Sequence, residues 1–115
     1  MSIQRFETGP RMSQAVVHGD TVYLAGVVAD DLKADTAGQT QQILAKIDKH
    51  LKAAGSDKSK LLSAQIWLTD MRTFGEMNKV WDAWVSPGNT PARATVEAAL
   101  AGPDYRVEIM VVAAK

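Results

Sequence analysis

Two periodicities run along the chain. Ile43, Leu44, Ile47, Leu51 and Ala54 recur at helical spacing. Thr36-Ala37-Gly38-Gln39 ahead of them fits a capping box, with Thr36 as the cap and Gln39 three residues on. Gly55 supplies a C-terminal stop. This predicts a helix over residues 37–54. A second stripe, Phe74, Met77, Trp81 and Trp84 with Val80 and Val85 beside it, follows another capping box, Thr73-Phe74-Gly75-Glu76, and closes at Pro87-Gly88. Elsewhere the pattern is that of strands. Ser13–Val17 and Thr21–Ala25 are rich in β-branched and aromatic residues and flank His18-Gly19-Asp20, a hairpin turn whose glycine can take positive φ. Gly26 ends or bends the second strand. Asp30–Asp35 reads as a polar loop, and Ser63–Thr69 as a strand with Ala64, Ile66 and Leu68 on one face. Ala92–Ala98 and Tyr105–Ala113 are the last strands, joined by the turn Ala101-Gly102-Pro103-Asp104, and Ile3–Phe6 is a further short candidate.

The order ββαβαββ is an α+β arrangement in which two strand-connecting helices pack on one face of a mixed sheet. The other face needs a cover. A chain of 115 residues fits one domain and has no further helix to supply it, so subunit association is the natural solution. An apolar content of 46% fills one core, with a modest margin for an isolated monomer. Thirteen basic and thirteen acidic residues cancel, so no excess of charge points to nucleic acid or an anionic membrane. The absence of cysteine excludes disulfides, thiol catalysis and thiolate metal sites. The start, Met1-Ser2-Ile3-Gln4-Arg5, lacks the apolar core of a secretory signal, and no apolar run approaches the ~20 residues that span a bilayer. The expected location is the cytoplasm.

Two residues stand out chemically. Strand alternation in Pro91-Ala92-Arg93-Ala94-Thr95-Val96-Glu97 puts Arg93, Thr95 and Glu97 on one face. The planar guanidinium of Arg93 can clamp a carboxylate through two parallel hydrogen bonds, or it can pair with Glu97 or another surface carboxylate. Glu108 interrupts the apolar run Val107–Val112. Either it is a largely buried carboxylate with a partner or a raised pKa, suited to handling a water, or it is an outward charge on an edge strand. His18 and His50 lack ligand spacing, so no metal is expected, and no phosphate-cradling glycine pattern is present. Lys58, Lys60 and Asp30-Asp31 read as solvated loop charge, and Trp81 and Trp84 as core.

The segment Ser13–Gly26 resembles the opening hairpin of the reactive intermediate deaminase (Rid, or YjgF) family. Pro91–Glu97 followed by Val107-Glu108-Ile109 resembles its signature closing hairpin, and Asn78 stands where the family usually has Asn. The resemblance runs through nearly the whole chain and is to a divergent branch. It implies one chorismate-mutase-like domain over residues 1–115, assembled as a homotrimer whose sheets enclose a central barrel, with ligand clefts between subunits. It implies hydrolysis of enamines and imines, such as 2-aminoacrylate and 2-iminopropanoate, to 2-keto acids and ammonia, with no cofactor. Carried over by position, Arg93 binds the substrate carboxylate and Glu108 positions or activates water. Thr95, Gly26 and Asn78 shape the cleft. Met12 stands where many active members have a ligand-contacting Tyr, preceded by Arg11, and Ala25 where Ser is common. These departures favour, as the alternative, a trimeric binder of small carboxylates that does not turn them over. An endoribonuclease is a third reading, opposed by the zero net charge and by the lack of a catalytic His pair.

Overall fold

The computed structural model describes residues 1–115. Six strands, β1 (Ile3–Phe6), β2 (Ala15–His18), β3 (Thr21–Leu24), β4 (Leu61–Leu68), β5 (Ala92–Glu97) and β6 (Val107–Ala114), form one mixed sheet in the order β1-β2-β3-β6-β4-β5. The helices α1 (Thr36–Ala53) and α2 (Phe74–Trp84) link β3 to β4 and β4 to β5. Ile3–Phe6 is therefore a true strand, paired antiparallel with β2.

The hairpin of β2 and β3 turns through Gly19 and Asp20 alone, since His18 pairs with Thr21, and Gly19 takes the positive φ of +61° that the turn requires. The closing segment differs from expectation. β5 and β6 are not a hairpin: β4 lies between them, pairing parallel with β5 and antiparallel with β6. The β4–α2–β5 unit is a parallel crossover, so β6 must return past β5 to fill the gap between β3 and β4.

The first helix begins one residue earlier than the capping box predicts. Asp35 is the cap, its carboxylate accepting from the Gly38 N–H at 2.8 Å, and Thr36 is already helical. Gln39 does not reach back to the cap. It is fully buried, donates to the Ala34 and Asp104 carbonyls at 3.1 and 3.0 Å, and accepts from the Arg106 N–H at 3.0 Å. It thereby ties the start of α1 to the connection that leads into β6. In the second box Thr73 makes no side-chain cap, and Glu76 instead accepts from the Ala37 N–H of α1 at 3.0 Å. The C-terminus of α1 follows the sequence reading. Gly55 is left-handed, its N–H donates to Lys52 O and that of Ser56 to Leu51 O, which closes a Schellman motif.

One face of the sheet packs on the helices. Ala64, Ile66 and Leu68 of β4, with Val107, Ile109, Val111 and Ala113 of β6, join Ile43, Leu44, Ile47 and Leu51 of α1 and Met77 and Trp81 of α2 in a core of 21 buried residues. The alternate residues of β6, Glu108, Met110 and Val112, point away from the helices and remain half-exposed. Tyr23, Trp67 and Val96 share that open face through their register with Val112, Glu108 and Trp67. No helix of the chain is long and apolar enough to cross a membrane.

Candidate functional site

Arg93 lies on an edge strand. It pairs in register with Ala64, and Thr95 with Ile66, both buried under the helices. Paired residues point to the same face, so Arg93 and Thr95 project into the helical layer, and Ala94 and Val96 onto the open face. α2 lies over them. The Arg93 guanidinium sits 5.4 Å from the centroid of the Trp81 ring and 5.8 Å from that of Phe74. Such stacking orients the cation and leaves its N–H edges available. No carboxylate is within ion-pair distance of it: the ion pairs of the chain are Lys46–Asp30, His50–Glu7 and Arg72–Asp70.

The Arg93–Glu97 pair does not form. Glu97 stands opposite Leu68 at the end of β5, beside the chain leaving β4, and it accepts from the Met71 N–H at 2.9 Å. That bond fastens the 3-10 turn Met71–Thr73, the lead-in to α2, to β5. Asp70 caps the same turn, its carboxyl held below the usual range by the side chain and then the N–H of Arg72. Phe74 and Trp81 are therefore carried over Arg93 by a helix anchored to Arg93's own strand. Asn78 follows Phe74 by four residues and precedes Trp81 by three, which puts it on the same stripe of α2. Asn78 Oδ1 and Thr95 Oγ1 are both buried without a hydrogen-bond partner. Buried polar atoms are normally satisfied, so two orphans on the side of the sheet that carries the unpaired Arg93 mark a place that a polar ligand would complete.

Glu108 lies elsewhere. β6 is an interior strand, so the edge-strand reading of Glu108 does not hold. Its register partner is Trp67, on the open face. The side chain forms no ion pair and folds over Gly26, which the bridge between Val27 and Ile109 brings alongside β6. Met12 sits on the loop before β2 and is exposed. That loop returns to the same corner, because the Ala25 N–H donates to Gln14 O at 2.9 Å.

The sequence-picked residues thus form two groups. Arg93, Thr95 and Asn78 share the helical side of β5, while Glu108, Gly26 and the Met12 loop share the β3–β6 side. From Arg93 to Glu108 is two strand spacings across and three residues along, about 14 Å between α-carbons, with the side chains on opposite faces of the sheet. A groove of about 810 Å³ between α1 and α2 is lined by neither group. Phe74 and Trp81 were missed as site residues because a helical aromatic stripe signals core. Only the cation on the neighbouring strand gives them a second role.

A profile of the Endoribonuclease L-PSP family matches residues 2–115. The chain belongs to this family, also called YjgF or Rid. It is 47% identical over 114 residues to the RutC family protein YoaB of Escherichia coli K12, covering 99% of each. It is 31% identical over 107 residues to the 2-iminobutanoate/2-iminopropanoate deaminase of Rattus norvegicus, covering 88% of this chain and 77% of that one. The crystal structure of a YjgF family member from Neisseria meningitidis superposes with a TM-score of 0.98 at 50% identity, covering 100% of this chain and 96% of that one. The six-stranded mixed sheet with two helices is thus the architecture of the YjgF family.

Proposed function

We propose that this chain is an imine and enamine deaminase, a hydrolase acting on C=N bonds of small 2-imino acids, with sites shared between copies in a homotrimer. The observation that carries the proposal is Arg93: a guanidinium braced on two aromatic rings, with no carboxylate of its own chain and with two orphaned oxygens on the same side of the sheet. The rat relative's name supports the reaction class at 31% identity.

The chemistry is simple. Arg93 takes the substrate carboxylate with two parallel bonds, and the Thr95 hydroxyl adds a third. Water adds to the carbon of the protonated imine and gives up a proton to Glu108, leaving a neutral carbinolamine. That proton then passes to the amine nitrogen, the carbon–nitrogen bond breaks to release ammonia, and the hydroxyl proton returns to the Glu108 carboxylate as the carbonyl of the 2-keto acid forms. An imine is already electrophilic, so holding and proton handling suffice. Since Arg93 and Glu108 project from opposite faces of one sheet, the Glu108 that serves a given Arg93 comes from a neighbouring copy. The open apolar face of Tyr23, Trp67, Val96, Met110 and Val112 supports association of that kind.

The test generates 2-iminopropanoate in situ with an amino-acid oxidase and follows its decay. The wild-type protein is expected to accelerate the decay and Arg93→Ala to lose the acceleration; equal rates overturn the proposal. One observation favours the alternative of a carboxylate binder without turnover. Met12, where many active members of the family have Tyr, is 47% exposed and offers only a thioether. Stabilisation by 2-keto acids without turnover is the result that selects it. Three observations argue against the endoribonuclease reading attached to the family name. His50 is buried against Glu7 at 3.2 Å, His18 is exposed at the end of β2, and the net charge is zero.

A further inference from the structure

Gly26 would ordinarily be explained by backbone conformation, as a residue that ends or bends a strand. Its φ is not in the left-handed region, unlike those of Gly19, Gly55 and Gly88. Conformation alone therefore admits alanine at this position. Space does not. A β-carbon on Gly26 would lie 2.1 Å from Glu108 Oε2, 3.0 Å from its Cδ and 3.4 Å from its Cγ.

The arrangement is fixed from both sides. Val27 and Ile109 exchange backbone hydrogen bonds, at 2.8 Å from the Val27 N–H and 3.1 Å from the Ile109 N–H. Both side chains are buried in the core, at 4% and 0% exposure. Their chain neighbours Gly26 and Glu108 must then both face the open side, as diagonal neighbours within reach of a long side chain. The carboxylate lies across the bare α-carbon of Gly26 and makes no hydrogen bond or ion pair that would hold it otherwise.

We propose that Gly26 is a positioning residue, whose missing side chain forms the seat that fixes the Glu108 carboxylate for its work on water. This deepens the deaminase reading and rests on it. The atoms in the way are the far end of a flexible side chain, so Gly26→Ala is accommodated by swinging the carboxylate aside rather than by moving backbone. The variant therefore folds, and it isolates position from chemistry.

The experiment uses the full chain as wild type, Gly26→Ala, Glu108→Gln and the double variant, each first checked for unchanged far-UV circular dichroism and assembly mass. Misplacing a catalytic group by an ångström or so reduces rate by about 10–100-fold. Gly26→Ala is expected to lose that much in kcat on 2-iminopropanoate, to keep the wild-type Kd for pyruvate, and to cause no further loss in the Glu108→Gln background. Unchanged kcat, or an equal loss with and without Glu108, overturns the proposal. A second readout does not depend on turnover. The carboxyl carbon-13 resonance of Glu108, assigned by its loss in Glu108→Gln, is expected to shift in Gly26→Ala. If the wild type proves inactive the deaminase reading fails, and this resonance alone decides the seat: a shift supports it and an unmoved signal overturns it.

Discussion

Thr95 carries a hydroxyl oxygen that is buried and bonded to nothing in its own chain. A group in that state costs about 1–3 kcal/mol relative to one with a partner. Thr95→Val removes the hydroxyl while nearly keeping the shape. The expected result is a stability equal to the wild type's or higher by about 1 kcal/mol in urea unfolding, together with weaker pyruvate binding and slower turnover. A loss of both stability and binding would mean that the hydroxyl has an internal partner. The sequence made Arg93, Thr95 and Glu108 visible as charged or polar positions in apolar strands. It left Arg93 open between a ligand clamp and a pair with Glu97, because alternation puts both on one face. The decision lies in the free Met71 N–H that claims Glu97, a bond between segments that no local pattern encodes.

At the level of elements, the two helices hold each other's starts. Asp35 satisfies the Gly38 N–H, and Glu76 reaches across from α2 to the Ala37 N–H. Losing a cap costs about 1 kcal/mol. Asp35→Ala and Glu76→Ala are each expected to destabilise by about that amount in urea unfolding. Glu76→Ala should also loosen the packing of α2, read as faster amide exchange across Phe74–Trp84. If Glu76→Ala leaves exchange in α2 unchanged, its bond to α1 is incidental. The lengths and stops of these helices were legible, since periodicity and Gly55 act within a few residues. Which polar side chain caps which helix was not. Thr36 and Asp35 are both good caps, and Glu76 suits its own helix as well as its neighbour's. The same limit explains the closing strands. Alternation finds β5 and β6, but only the parallel crossover through α2 forces β4 between them.

On the scale of the whole molecule, the sheet has one finished face and one open face, and the two groups of candidate residues stand on different faces. Chain length and the uncovered sheet face imply subunit association, and the family resemblance implies a trimer; under the proposed deaminase reading Arg93 and Glu108 meet across a boundary between copies. Met110 sits in the middle of the open face on an interior strand. A ring of three heterologous contacts makes three sites, each taking Arg93 from one copy and Glu108 from the next. Arg93→Ala and Glu108→Gln homotrimers then contain no intact site. Unfolding the two variants together and refolding them as an equal mixture is expected to restore about a quarter of the wild-type rate, since each mixed trimer rebuilds one site of three. Adding Met110→Glu to both variants should break the association and abolish the recovery, with light scattering reporting the loss of assembled mass. Recovery absent from fully mixed trimers would mean that both residues serve one site from one chain, which the opposite faces of the sheet argue against.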